Sequence, residues 1–295
     1  MATLRDIKRR IRSVKNTAQI TRAVQLVASS KMRRAQDRVL AARPYAEQLQ
    51  RLLSRLATAG GLDEPQPLME ERPLRNLGVV LISPDRGLSG ALPSNLNRHA
   101  AQAVLEALRA GHNGSFNPQA AQGYFVAVGR KGRDFAVRTG QHLLGEFTQY
   151  GDRPDIGLVR AIARVATDAY LNTEVDRVDL VYAKFVSTVS QQPVKVQLLP
   201  VQPPTQTEEG FTEEYIYEPD PTTLFAALLP RYVETLIYQA LLETIASQYS
   251  AQMVAMKNAT DNATELAGDL TLTYNKARQQ AITTQILEVI AGASQ

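Results

Sequence analysis

Apolar residues recur every three or four positions at both ends of this chain, and the middle follows a different rule. From Arg231 to Ala291 there is no proline, and Gly268 is the only glycine before Gly292. Val233, Ile237, Leu241, Ile245, Ala251, Ala255, Ala259, Asn262, Leu266, Leu270, Ala277, Ala281 and Ile290 fall mostly at spacings of three, four or their multiples, the period of one helix face. A helix over this stretch is about 90 Å long at a rise of ~1.5 Å per residue. The stripe is bulky early and small or polar through Ala251 to Ala263. Small residues admit a second helix closely but bury little area, so they stabilise weakly at ~25 cal/mol per Å².

A second long helix is predicted from Leu4 to about Leu56. Leu4, Ile7, Ile11, Val14, Ala18, Thr21, Gln25, Ala28, Met32, Ala35, Val39 and Ala42 alternate spacings of three and four, a sustained heptad seam. Its middle, Ala18 to Ala28, is also small or polar, so the two weak seams suit each other. Pro44 predicts a kink or break near Arg43.

The middle of the chain alternates short apolar runs with helical patterns. Gly60 to Pro73 is a loop. Leu77 to Ser83 and Tyr124 to Val128 have the character of buried strands. Ser94 caps a helix running to about Ala110, and another starts at Lys131. Gly111 to Gly123 is a polar, glycine-rich loop. His142 to Thr148 is a candidate strand and Ile156 to Leu171 a helix. Val178 to Ser187 and Val194 to Val201 form a hairpin across Ser190-Gln191-Gln192. Gln202 to Pro221 is irregular, and Asp220-Pro221-Thr222 starts a helix, with a kink or short lead-in helix expected at Pro230.

The expected fold is α/β: a long antiparallel coiled coil of the N- and C-terminal helices, with a Rossmann-like α/β domain inserted between them. Its sheet has a parallel core and an antiparallel edge. The expected divisions are 1–58, 74–205 and 220–295. The final helix is the longer, so its end is expected to project alone. From Gln279 to Gln295 that end carries one charged residue, Glu288, as an apolar pin would.

Composition narrows the functional classes. Hydrophobic residues make up 44 % of the 295 and the mean hydropathy is −0.22, with no run long enough for a transmembrane helix. The first residues lack the apolar region of a secretory signal. There is no cysteine, which excludes disulfides, thiol nucleophiles and cysteine-ligated zinc. His99, His112 and His142 are scattered and do not suggest a metal site. Residues 1–38 hold eleven basic and two acidic residues, a net +9, while the remainder is −5. Such an asymmetric field implies an acidic partner.

Candidate chemistry is sparse. Ser83-Pro84-Asp85-Arg86-Gly87-Leu88-Ser89-Gly90 follows the first strand, where α/β proteins often hold phosphate, but it matches neither a P-loop nor a clean G-x-G-x-x-G. Tight structural turns at Asp85, Arg86, Gly87 and Gly90 are the plainer reading. Gly123 to Lys131 misses the P-loop by one residue of spacing. Arg33 and Arg34 could grip nucleic acid, yet no aromatic lies among residues 1–44 to stack on bases. A solvated face, or a docking face for an acidic protein loop, fits better. Lys276, Arg278 and Gln279 sit where the final helix loses its charge and form a candidate polar contact. No nucleophile–base pair or paired carboxylates emerge.

Several long motifs resemble one family. Asp6-Ile7-Lys8-Arg9-Arg10-Ile11, Val14-Lys15-Asn16-Thr17, Ile20-Thr21-Arg22-Ala23 and Ser30-Lys31-Met32-Arg33-Arg34 resemble the N-terminal signature of the gamma subunit of F-type ATP synthase. Asp85 to Gly90 is similar to its central motif, and Tyr217-Glu218-Pro219-Asp220 to its stalk-base motif. Met253 to Ala263, Tyr274 to Gln279 and Ala281-Ile282-Thr283 resemble its C-terminal signature. The resemblance implies a non-catalytic rotating shaft inside a ring of three alpha and three beta subunits. A membrane ring of c subunits, turned by protons, would bind the α/β domain and the Tyr217–Glu218 region together with the epsilon subunit.

It further implies beta-subunit contacts at Arg33, Arg34, Lys276, Arg278 and Gln279, the first two beside an acidic lever. No cofactor, metal or nucleic acid is implied, and membrane contact runs only through the c ring, at the cytoplasmic face of a bacterial plasma membrane. Ser89 stands where many members carry cysteine, and the cysteine-bearing regulatory insert of photosynthetic relatives is missing. Gly268 is a candidate compliant point in the shaft. The rival readings are a nucleotide-binding α/β enzyme using Asp85 to Gly90 and a basic coiled coil that binds nucleic acid.

Overall fold

The computed structural model describes residues 3–61, 65–111, 123–202 and 217–293. Most of the irregular stretches read at Gly111–Gly123 and Gln202–Pro221, and part of the Gly60–Pro73 loop, lie outside the described residues.

Helix α1 spans Leu4–Leu56. Thr3 and Asp6 start it as a reciprocal capping pair: Asp6 N donates to Thr3 Oγ1 at 3.2 Å, and Thr3 N donates to Asp6 Oδ2 at 3.3 Å. Every residue of the sequence-predicted stripe from Leu4 to Ala42 is buried or half-buried. Helix α5 runs Pro221–Ala293. Asp220 caps it by accepting from Thr223 N at 2.8 Å, and Pro221 takes the first helical position, where a missing N–H costs nothing.

Of the alternatives expected at each proline, a break at Pro44 and a separate lead-in helix before Pro230 do not occur. Both prolines are exposed, as are Leu40 and Ala226 four residues earlier. The carbonyl that each proline leaves unbonded therefore faces water. Beyond them, buried Leu49, Leu53 and Leu56 on α1 and Val233 and Ile237 on α5 hold the helices to the core, and that packing outweighs the local cost.

The chain forms two compact units, one of residues 1–30 and 252–295, the other of residues 31–251. In the first, α1 and α5 pair antiparallel along a thin seam. Ile7, Ala28, Met256, Ala263 and Ala267 are its buried residues, and the Thr21 and Thr260 hydroxyls meet across it at 2.7 Å. The expected stripe on α5 slips in phase. Asn262 is exposed and Leu266 is 49 % exposed, while Ala263 and Ala267 take the seam. Small residues let the helices approach, so the seam selects alanine over leucine.

Gly268 is exposed, and a Cβ built there meets nothing within 4 Å. Gly268→Ala is therefore expected to stabilise the helix by about 1 kcal/mol. A thermal melt of the coiled-coil unit checks this, and a lowered midpoint would mean that glycine is needed for its shape.

The second unit is a five-stranded sheet of order β3-β2-β1-β4-β5. Its strands are β1 (Leu77–Ile82), β2 (Tyr124–Val128), β3 (His142–Phe147), β4 (Arg177–Phe185) and β5 (Gln191–Leu199). All adjacent pairs are parallel except β4 with β5. Helices α2 (Leu92–Gly111) and α3 (Arg130–Arg138) cover one face, over Leu77, Val79, Leu81, Phe125, Val181 and Ala183. Helix α4 (Ile156–Leu171) covers the other with parts of α1 and α5, over Val80, Ile82, Val126, Val128 and Leu180. Burial on both faces explains the continuous apolar runs of β1 and β2.

Two boundaries move. Helix α2 begins at Leu92, so Ser94 lies inside its first turn rather than capping it. The hairpin closes before the expected Ser190-Gln191-Gln192: Ser187 N donates to Ser190 O at 3.0 Å, and β5 starts at Gln191, three residues before Val194. Pro193 within β5 is tolerated because β5 is an edge.

Candidate functional site

The turn after β1 lies at the carboxyl end of the parallel strands, where α/β proteins commonly bind ligands. Here the protein fills that position itself. Arg130 N donates to Asp85 Oδ1 at 2.9 Å, Lys131 N to Pro84 O at 3.2 Å, and Gly132 N to Ser83 Oγ at 2.7 Å. These amides open α3 and would otherwise be free for a phosphate. Asp85 thus takes the place of an anion, and the cradle is closed. Left-handed backbone occurs at Leu88 (φ 67°) and Gly90 (φ 59°), not at Gly87. Ser89 is buried, and its hydroxyl has no hydrogen-bond partner among the described residues. Tyr150 is buried beside this turn and donates to Ser83 O at 2.9 Å. Burial raises its phenol pKa first of all, so it remains a neutral donor.

A cationic hollow of about 470 Å³ lies next to the turn, between α1, the loop after β3 and α5. Lys31 Nζ pairs with Asp152 Oδ2 at 2.8 Å and donates to Tyr249 OH at 3.2 Å. Tyr249 OH donates to Asp152, and Arg38 Nη1 to the Asp152 carbonyl at 2.5 Å. The hydrogen bond to Asp152 is the main reason the Lys31 pKa is raised. Burial works against the Asp152 carboxylate, but its bonds from Lys31 and Tyr249 prevail and hold its pKa below the ordinary value. Arg34 lines the same hollow, whereas Arg33 does not.

The remaining residues singled out from sequence are distributed as follows. Lys276, Arg278 and Gln279 are exposed on α5 in the coiled-coil unit. Beyond them Ile282, Ile286, Leu287 and Val289 are 47–72 % exposed. Tyr217 packs half-buried against the larger core and Glu218 is exposed. Neither the Lys31–Asp152–Tyr249 cluster nor a buried polar ladder on α5 was anticipated. In that ladder Thr244 Oγ1 accepts from Ala183 N at 3.3 Å, Ser247 Oγ donates to Ala183 O at 3.0 Å, and Ser250 Oγ donates to Thr188 O at 2.6 Å. The spacing of Thr244, Ser247 and Ser250 along one face was the available signal.

Glu243 stands beside the ladder, buried, and its Oε2 has no hydrogen-bond partner among the described residues. Burial raises its pKa above the ordinary 4.5, against opposing effects of Lys184, the Phe185 backbone and Arg43. The folded state therefore holds this proton more tightly than the unfolded chain, and stability falls as pH rises from about 4.5 through the raised value. Glu243→Gln is expected to be more stable than the parent at pH 8 and to lose that advantage at pH 4. Denaturant titrations at the two pH values check this, and a gain independent of pH would contradict it.

No group of three or more His, Cys, Asp or Glu side chains that could hold a metal occurs among the described residues. No described helix is long and apolar enough to cross a membrane.

The fold defines the class: two long terminal helices paired antiparallel, with a helix-covered α/β sheet between them in sequence. Similar architecture occurs in the central stalk and c-ring structure of the Tetrahymena thermophila mitochondrial ATP synthase, at TM-score 0.59 and 22 % identity over 81 % of this chain and 99 % of that one. It also occurs in the rotor of the Euglena gracilis enzyme, at TM-score 0.62 and 19 % identity over 95 % and 98 %. At this identity the likeness concerns the fold. The sequence goes further. A family model described as "ATP synthase" matches residues 3–295. The ATP synthase gamma chain of Dehalococcoides mccartyi strain CBDB1 is 47 % identical over 100 % of this chain and 99 % of its own length. That of Roseiflexus castenholzii is 44 % identical over 100 % and 98 %. The chain belongs to the ATP synthase gamma-chain family.

Proposed function

We propose that this chain is the central-stalk rotor subunit of an F-type ATP synthase, non-catalytic itself, carrying torque between a proton-driven c ring and a catalytic hexamer of three alpha and three beta subunits. The observation that carries this reading is the relation to gamma chains, at 47 % identity over 100 % of this chain and 99 % of the relative. The physical features agree with it. A bearing works with few directional bonds, and the exposed end of α5 is apolar at Ile282, Ile286, Leu287 and Val289. A basic cam attracts an acidic lever at long range without one fixed pair, and residues 1–38 carry net +9.

In this reading Arg33, Arg34, Lys276, Arg278 and Gln279 contact beta subunits. The α/β body, residues 74–205, and Tyr217 with Glu218 face the c ring and epsilon subunit. Asp85, Arg86, Gly87 and Gly90 serve as a structural turn. Residues 1–58 and 220–295 form the shaft. The chain is peripheral, at the cytoplasmic face of a bacterial plasma membrane, and reaches the membrane only through the c ring.

The test is reconstitution with alpha and beta subunits, followed by ATPase assay and observation of a bead fixed to the α/β body. One copy per three beta subunits with stepwise rotation is the expected result. Failure to assemble, with the isolated chain hydrolysing ATP or binding DNA, would overturn it.

A further inference from the structure

The cationic hollow has more donors than its own residues use. Lys31, Arg34, Arg38, Arg86 and Arg153 line it, and Asp152 is the one acidic side chain among its lining residues, so five positive charges face one negative. That carboxylate is committed to Lys31 and Tyr249. Its bonds brace the wall without neutralising it. Arg86 and Arg153 make no hydrogen bond or close ion pair with another described residue.

The backbone adds a second, independent feature. Gln149 (φ 61°) and Gly151 (φ 69°) are left-handed on either side of Tyr150. Left-handed residues are a component of the concave backbone nests that bind anions. None of the N–H groups from Gln149 to Arg153 donates to another described residue. The loop is nonetheless fixed, because Tyr150 is buried and bonded to Ser83 O at 2.9 Å. A second hollow of about 490 Å³ continues along the same loop and adds Arg130 together with Asp85, whose carboxylate is bonded to Arg130 N.

Spare guanidinium forks, spare amides and excess positive charge on a braced concave wall match one ligand chemistry. Phosphoryl groups present several acceptor oxygens and multiple charges, and planar guanidiniums bind them two bonds at a time. We propose that this hollow binds a polyvalent phosphate-class anion, with pyrophosphate as its minimal form, either free or as the tail of a nucleoside triphosphate. The site differs from the closed cradle at Asp85 and does not depend on the rotor reading. Where that reading assigns Arg34 to an acidic partner, a bound anion would screen the same charge.

Calorimetric titration of the full chain with pyrophosphate is the test, at low ionic strength and again at physiological salt. One saturable site per chain is expected. Arg86→Gln with Arg153→Gln should weaken it at least about tenfold, two charge-assisted contacts being lost. Both side chains are exposed, so the fold should survive, and circular dichroism verifies that. Arg133→Gln, which lines neither hollow, should leave binding unchanged. Tripolyphosphate and ATP separate the sources: tighter tripolyphosphate assigns a free anion, while equal or tighter ATP assigns a nucleotide. No saturable heat, or equal binding by the double variant, would overturn the proposal, and either result leaves the reconstitution experiment to stand or fall separately.

Discussion

Gly129→Ala is expected to prevent the α/β unit from folding, or to destabilise it by more than about 4 kcal/mol. Gly129 has φ 96°, and a Cβ there would lie 1.9 Å from the Ser83 carbonyl oxygen and 2.8 Å from its carbon. The obstacle is backbone, so no rotamer relieves it. Nor is the backbone free to retreat. Ser83 N donates to Val128 O at 2.8 Å and Gly129 N to Phe147 O at 2.7 Å, which pins the ends of β1, β2 and β3 together. Two controls separate clash from strain. Gly140 has φ 67° with open space around it, so Gly140→Ala carries only the left-handed cost of about 1–2 kcal/mol. Gly87 has neither constraint, and Gly87→Ala should be nearly neutral. Urea unfolding of the three variants, with hydrogen exchange reporting on the strands, checks the order. A Gly129→Ala midpoint close to that of Gly140→Ala would show that the sheet yields at this point and sink the argument.

What the sequence made legible follows from how each feature is encoded. The α1 stripe was readable residue by residue, because bulky residues at both ends (Leu4 to Val14, Met32 and Val39) fix the phase of an unbroken three-four alternation across its small and polar middle. The α5 stripe was readable from Val233 to Ala259 and again at Leu270, Ala277 and Ala281, and failed at Asn262, Leu266 and Ile290. Between Ala251 and Ala277 many residues are small, and Leu266 drew the reading onto the wrong face. Pro44 and Pro230 are local signals, while the buried residues that carry α1 and α5 unbroken through them come from the whole unit. In the sheet, unbroken apolar runs marked β1 and β2 to within a residue. The hairpin was misplaced because apolar–polar alternation stops at Ser190-Gln191-Gln192, whereas backbone pairing continues, with Gln191 opposite Phe185 and Gln192 opposite Lys184.

Contacts distant in sequence account for what was missed at the candidate site. The Asp85–Gly90 motif was visible, but its bond to Arg130 joins residues 45 apart. Lys31 and Tyr249 are separated by 218 positions, and no spacing rule connects them to Asp152. The charge of residues 1–38 pointed to an acidic partner. It could not show that Lys31, Arg34 and Arg38 share a wall with Arg86 and Arg153, because that wall exists only once α1 lies against the sheet.

Arg177→Met is expected to destabilise the α/β unit by about 3–5 kcal/mol, the usual result of leaving a buried charge without its partner. Asp179 is 0 % exposed in the middle of β4, paired in register with Val79 on one side and Gln197 on the other. Arg177 lies two residues earlier, on the same face of the strand, and its Nε and Nη2 donate to the two carboxylate oxygens at 2.8 and 2.6 Å. Among the described residues the carboxylate has no other hydrogen-bond donor. Methionine keeps much of the arginine stem but supplies no donor, so the desolvation of Asp179 is left unopposed. The double variant Arg177→Met with Asp179→Leu should recover most of the loss, because an apolar pair of similar volume suits the face that Val79 and Val181 already make apolar. Unfolding free energies of the parent, both single variants and the double close the cycle. If the double variant is as unstable as Arg177→Met alone, the loss belongs to the packing of the arginine stem, and the pair is not what holds this strand in the sheet.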